Sequence, residues 1–195
     1  MKMNLPNKLS VIRLFMVPVF VVIMMASDAL WANLVGCALF GLAAFTDMLD
    51  GKIARKYNLI TDFGKFLDPL ADKFMVIGAL LVILYKYSNL RSVFIWATII
   101  VIFRELAVTS MRLVASSSGG VVIAANMLGK IKTVSQIICI CAIFIEPIIY
   151  RIDALTFMAK YMPLSYATIA IMIIFTLWSG INYIVSGWKY LDPNK

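Results

Sequence analysis

The sequence contains no histidine. That removes imidazole metal ligands, imidazole general bases and every Ser-His-Asp arrangement at once. Any chemistry must therefore run on carboxylates, Lys and Arg, hydroxyls, or metals held by oxygen. Cysteine is scarce too. Cys37, Cys139 and Cys141 stand in apolar runs without a spaced framework, so they read as packing residues, and a disulfide scaffold or zinc site is excluded. Charge is the third shortage. Only 14% of the 195 residues are charged and 63% are hydrophobic, with a mean hydropathy of +0.94. Soluble domains carry about 25% charged and about 45–50% apolar residues, so a soluble globular domain is excluded, and so is a disordered chain. The charge that remains is one-sided: 18 Lys+Arg against 10 Asp+Glu, a net +8. In so apolar a chain this excess points to a positive-inside topology and anionic ligands, not to nucleic acid.

Six apolar stretches approach or exceed the roughly 20 residues that cross a bilayer core: 9–26, 30–53, 67–86, 92–115, 127–149 and 163–187. They predict an all-α, polytopic integral membrane protein with six transmembrane helices in one bundle. No linker, low-complexity run or repeat divides it, so residues 1–195 read as a single domain. The runs are continuous and do not alternate, which argues against a membrane barrel. Lys2, Lys8 and Arg13 ahead of a long apolar run ending in Ala26-Ser27-Asp28-Ala29 could mark a cleaved signal peptide. The length of the run, Pro18 and the early Arg13 favour a retained span. With both termini cytoplasmic, only Lys86, Arg91, Arg151 and Lys160 of the 18 cations lie outside, leaving 14 inside. Trp31, Trp96, Trp178 and Trp188 suit interface belts or packing within the bundle equally well.

The most informative stretch runs from Asp47 to Asp72, where the second span leaves the membrane and the third re-enters. At about 100° per residue, Asp47, Asp50, Gly51, Ala54 and Arg55 share one helix face about 140° wide. Asp68 and Asp72 are i,i+4 neighbours on the next helix, with Gly64 one turn earlier. A turn around 57–62 is expected to make these two helices antiparallel neighbours, so that four carboxylates converge at the membrane edge. Such a cluster needs cations, because like charges raise one another's pKa. Hard oxygen donors favour Mg²⁺, Mn²⁺ or Ca²⁺, and four carboxylates suit two ions about 3.5–4 Å apart, the arrangement used in phosphoryl chemistry. Gly51 and Ala54 leave room for a bulky ligand, and Arg55 offers a planar fork to phosphate. The alternative is a solvated turn in which the acids pair with Lys52, Arg55, Lys65 and Lys73.

The pattern D-x2-D-G-x2-A-R-x8-G-x3-D-x3-D, formed here by Asp47, Asp50, Gly51, Ala54, Arg55, Gly64, Asp68 and Asp72, resembles the signature of the CDP-alcohol phosphotransferases with every spacing met. The resemblance implies a six-helix membrane fold that dimerises, and transfer of a phosphatidyl group from CDP-diacylglycerol, or a related CDP-alcohol, to an alcohol with release of CMP. It also implies two divalent cations, Mg²⁺ or Mn²⁺, on Asp47, Asp50, Asp68 and Asp72, with Asp72 as the base. Gly51, Ala54, Arg55 and Gly64 would line the CDP-lipid site. Asn7 and Thr61 are further nucleotide contacts, or else capping and turn residues. Leu5-Pro6-Asn7-Lys8-Leu9-Ser10-Val11-Ile12-Arg13 resembles the amino-terminal stretch of the family's bacterial branch that makes phosphatidylglycerophosphate. Arg104-Glu105, Arg112 and Gly129-Lys130-Ile131-Lys132-Thr133 with Gln136 resemble the same branch.

The acceptor of that branch is sn-glycerol 3-phosphate, a small dianion that needs fixed positive charge. Arg104 and Arg112 in the fourth span, and Lys130 and Lys132 at the start of the fifth, can supply it. Lys130 and Lys132 could instead be positive-inside anchors, Arg112 a snorkelling side chain, and Arg104 half of a buried pair with Glu105. The expected setting is the bacterial cell membrane, with the acidic cluster facing the cytoplasm. Within the family the open alternatives are phosphatidylglycerol, inositol phosphate or serine acceptors. Outside it stands a cation transporter, whose acids would lie near the bilayer midplane and not at one interface.

Overall fold

A computed structural model describes residues 3–57, 59, 61–117, 127–151, 153–159 and 161–188. Lys2, Lys160, Lys189 and Lys195 of the loop-charge count lie outside the described residues, as does the side chain of Arg55. Among the described residues there are six long helices, α1 (Leu5–Ala26), α2 (Leu30–Lys56), α3 (Asp62–Lys86), α4 (Arg91–Ser117), α5 (Met127–Ile149) and α6 (Pro163–Gly187), with a short 3₁₀ segment at Asp153–Met158. Five of them, α1, α2, α4, α5 and α6, are long and apolar enough to cross a membrane. The protein is thus all-helical and multi-pass. The helix α3 carries Asp62, Lys65, Asp68, Asp72, Lys73 and Lys86, and this charge separates it from the other five.

The helix boundaries have local causes. The side chain of Asn4 accepts the Asn7 amide at 3.1 Å, satisfying one of the orphan donors of the first turn of α1, and Pro6 sits in that turn, where its missing N–H costs nothing. Thr61 caps α3 by accepting the Gly64 amide at 3.0 Å. Lys86 closes α1 from the other end: its Nζ donates to the carbonyls of Met24 and Ser27 at 3.4 and 2.7 Å.

The chain forms two compact units. One comprises Met1–Arg91 and Ile140–Met162, the other Ser92–Cys139 and Pro163–Lys195. In the first, α1 packs along both α2 and α3, whereas α2 and α3 touch each other much less. The expected contact of α2 with α3 is present, but it is smaller than the contact each makes with α1. The amino-terminal helix lies along both, because Val17, Phe20 and Met24 supply a buried stripe whose Val17 and Phe20 stand beside Phe40 and Ala43 of α2 and Met75 of α3. Phe20 stands 6.5 Å from Phe40 and 6.0 Å from Phe144, centroid to centroid. At Gly78 a Cβ would come within 2.9 Å of Val17 Cγ1, so the close approach of α1 and α3 depends on the missing side chain. In the second unit Phe94, Ala97, Val101, Ile169 and Met172 are buried. Cys37, Cys139 and Cys141 form no disulfide. Trp31, Trp96, Trp178 and Trp188 are exposed, as are Phe15, Val22, Phe103 and Val185.

Candidate functional site

The acidic stretch is assembled in the first unit by three helices. On α1, Asn7, Ser10 and Arg13 recur every three residues and are all buried. Each meets a different part of the acidic stretch. Asn7 Nδ2 donates to Thr61 Oγ1 at 2.9 Å, and Asn4 Nδ2 donates to the Leu59 carbonyl at 2.8 Å, so the start of α1 is tied to the α2–α3 turn. Ser10 Oγ donates to Asp68 Oδ1 at 2.5 Å. Arg13, with no exposed side-chain surface, spans two carboxylates: Nη1 bonds Asp47 Oδ1 at 2.5 Å and Nη2 bonds Asp50 Oδ2. Asp50 is nearly buried, at 5% side-chain exposure, and Asp47 is 42% exposed. One guanidinium can serve both because Asp47 and Asp50 are three apart on α2 and so share a face.

Gly64 is a tight position in this assembly. A Cβ there would come within 2.8 Å of Asn7 Oδ1 and 3.2 Å of Thr61 Oγ1. Gly51, Ala54, Asp68 and Asp72 are half-buried. The donors are carboxylate oxygens throughout, which fits a hard divalent cation. Arg13 uses one oxygen of Asp47 and one of Asp50, leaving the second oxygen of each outside the fork. Among the described residues no three acidic side chains form a ready-made metal cage.

The second unit holds a separate polar cluster. Arg104 Nη1 bonds Glu105 Oε1 at 3.0 Å, and Lys132 Nζ bonds the same carboxylate oxygen. Arg104 Nη2 donates to Ser179 Oγ at 2.7 Å, and Arg112 Nη2 donates to Tyr183 Oη at 2.7 Å. Lys132, Gln136, Ser179 and Tyr183 are buried, while Arg112 and Lys130 are exposed.

The sequence-derived residues thus fall into defined sets. Asp47 and Asp50 share Arg13, Asn7 meets Thr61 beside Gly64, and Arg104 and Lys132 share Glu105. The capping role weighed for Thr61 and the Glu105 pairing weighed for Arg104 are both present. Arg13 and Ser10 entered the sequence argument as a charge and as part of an amino-terminal pattern, without a role at the site. The available signal was a charged residue inside an apolar span, which is costly unless paired. Its partners lie 34 and 37 residues away, beyond any local spacing rule.

Comparison with known proteins gives a consistent picture. Residues 3–185 match the CDP-alcohol phosphatidyltransferase family. The chain is 41% identical to the CDP-diacylglycerol–glycerol-3-phosphate 3-phosphatidyltransferase of Bacillus subtilis, over 98% of this chain and 95% of that protein. It is 32% identical to the Pseudomonas fluorescens protein of the same name, covering 98% and 94%. A probable phosphatidylglycerophosphate synthase of Mycobacterium tuberculosis is 35% identical over 93% of this chain and 80% of its own length.

Proposed function

Because this chain belongs to the CDP-alcohol phosphatidyltransferase family, whose members generally depend on a divalent metal, we propose that it transfers the phosphatidyl group of CDP-diacylglycerol to sn-glycerol 3-phosphate, giving phosphatidylglycerophosphate and CMP. The observation that carries the reading is the acidic stretch itself, all eight positions of its pattern present and anchored from α1 at Asp47, Asp50 and Asp68. The choice of glycerol 3-phosphate is supported by the names of the relatives and by a cluster of cations in the second unit of a kind that suits a phosphate monoester.

In this reading Asp47, Asp50, Asp68 and Asp72 hold two divalent cations, Mg²⁺ or Mn²⁺, which would offset the charge of the pyrophosphate and of the departing CMP. Gly51, Ala54 and Gly64 leave room for the nucleotide, Arg55 contacts its phosphates, and Asn7 and Thr61 border it. Arg104, Arg112, Lys130 and Lys132 bind the phosphate of the acceptor. Asp72 takes the proton from the acceptor's primary hydroxyl. That oxygen forms a bond to the phosphorus beside the diacylglycerol, the bond from this phosphorus to CMP breaks, and CMP leaves. An aspartate with an ordinary pKa near 3.9 is a weak base, so most of the acceleration comes from positioning and from electrostatic stabilisation of the transferring group. The whole chain acts as one catalytic domain with α3 as a sixth span, forms a homodimer, and keeps the acidic stretch and both termini on the cytoplasmic side of the cell membrane.

The test is a transfer assay on membranes carrying this chain, with labelled CDP-diacylglycerol, Mg²⁺ and each candidate acceptor in turn. Phosphatidylglycerophosphate is expected with glycerol 3-phosphate, and a chelator should abolish it until divalent cation is restored. Product only with phosphatidylglycerol, inositol phosphate or serine would overturn the acceptor. Ion flux in liposomes with no transfer would overturn the reaction class.

A further inference from the structure

The ring of Tyr183, on α6, is buried and carries two arginines from α4. The guanidinium of Arg112 lies 5.1 Å from its centroid and that of Arg104 lies 5.5 Å away. Its hydroxyl accepts the 2.7 Å hydrogen bond from Arg112. Arg104 is fixed besides by Ser179 and Glu105, and Glu105 also takes Lys132. Arg112 is exposed, and Tyr183 holds it both by the hydrogen bond and by the ring face. Among the described residues, this cluster brings three cations, Arg104, Arg112 and Lys132, together with the carboxylate of Glu105. An aromatic face stabilises a guanidinium modestly, but it cannot neutralise one. Among the described residues, Arg104 Nε is a buried donor with no acceptor, and a buried donor of this kind carries a free-energy cost until an acceptor arrives. Positive charge and an unsatisfied guanidinium donor in one cluster suit a dianion with several oxygens, the chemistry of a phosphate monoester.

We propose that Tyr183 is a positioning residue of the acceptor site: its ring and hydroxyl hold Arg112 and Arg104 in the orientation that receives the acceptor's phosphate. This rests on the function proposed above. Tyr183 does not touch the reacting atoms in this account. It acts through Arg112, whose flexible side chain would otherwise have to be ordered at the moment of binding.

Two readouts test the proposal, turnover and the rise in thermal midpoint that glycerol 3-phosphate alone gives the purified protein. Tyr183→Phe keeps the ring and removes the hydrogen bond to Arg112. It should raise KM for glycerol 3-phosphate about tenfold, keep KM for CDP-diacylglycerol within about twofold, and shrink the thermal shift. Tyr183→Leu, which loses the ring too, should do more. If the leucine variant fails to fold, the phenylalanine variant carries the test with a double-mutant cycle: in an Arg112→Ala background, Tyr183→Phe should change neither readout further. Equal rises in both KM values, or effects of Arg112→Ala and Tyr183→Phe that simply multiply, would overturn it. If glycerol 3-phosphate stabilises the wild type and the Tyr183 variants blunt this while transfer goes to another alcohol, the functional reading fails and the positioning role stands. If the wild type uses glycerol 3-phosphate and the variants match it in both readouts, the functional reading stands and the positioning role fails.

Discussion

Arg13 has no solvent contact, and both of its terminal nitrogens are committed to carboxylates of another helix. Removing one partner from a buried charge pair is far more damaging than never having had the pair, because the remaining charge stays desolvated. Here the damage falls mainly on Asp50, since Asp47 is 42% exposed and water can screen it. Arg13→Ala should therefore lower stability by about 3 kcal/mol, the lower end for breaking such a pair, read as the unfolding transition in detergent. Arg13→Lys should recover only part, because one ammonium cannot reproduce a fork on two carboxylates. The alanine variant should also gain more thermal stability from added Mn²⁺ than the wild type does, since a cation would then replace the missing charge. Asp68 calls for a different outcome. Ser10 donates to it, and an amide oxygen can accept the same bond, so Asp68→Asn should leave the melting transition nearly in place. Its turnover should nonetheless fall about 10²–10³-fold, the scale of losing one preorganised electrostatic group, with the loss measured by the labelled-lipid assay. That Asp47 and Asp50 share a face was legible in the sequence, because helical spacing puts them there, and Arg13 bonds both. Arg13 and Ser10 were not, because their roles depend on which helix packs beside them, and spacing within one segment carries no such information.

The limits of the helices were legible to within a few residues for five of the six, because long apolar runs dominate them. The exception is α3, expected from about 67 and found from Asp62. Its first turns are polar, so hydropathy passes over them. What starts this helix is the Thr61 cap and the Asn7 side chain bonded to it, local hydrogen bonds that a hydropathy reading does not contain. The same junction explains why Gly64 stands where it does. An added methyl would come within 2.8 Å of Asn7 Oδ1, and Asn7 is buried and already bonded, so it cannot move aside without giving up Thr61. Gly64→Ala should thus loosen the α1–α3 junction by about 1–2 kcal/mol, combining the overpacking cost with a weakened cap. Hydrogen exchange at the first turn of α3 should report the loosening, and turnover should fall with it. Asn7→Ala combined with Gly64→Ala should recover part of the loss, because the smaller side chain no longer meets the new methyl. An unchanged exchange rate in Gly64→Ala would show that the junction yields elsewhere.

At the scale of the whole molecule, the distribution of charge bears on which side of the membrane the acidic stretch faces. Of the four cations assigned to the outside, two are engaged with helix ends. Lys86 closes α1 through the Met24 and Ser27 carbonyls, and Arg91 donates from Nε and Nη2 to the carbonyls of Leu84 and Tyr85 at 3.0 and 3.1 Å. Such cations stabilise helix carboxyl-terminal ends wherever these lie, so their presence says little about topology. Discounting them widens the imbalance that favours cytoplasmic termini, and the functional proposal requires the same orientation, since a glycerol phosphate is a charged cytoplasmic metabolite class that does not cross lipid unaided. A labelling experiment can separate the two orientations. In a chain whose three cysteines are replaced, Ala29→Cys sits at the turn before α2 and Leu59→Cys at the turn before α3, the opposite end of the same helix. A membrane-impermeant maleimide applied to intact cells should modify Ala29→Cys and spare Leu59→Cys until the cells are opened. The reverse pattern would put Asp47, Asp50, Asp68 and Asp72 on the outer side, where neither a nucleotide-activated lipid nor a divalent-dependent transfer to glycerol 3-phosphate has a supply of substrate, and the functional reading would fail with the topology.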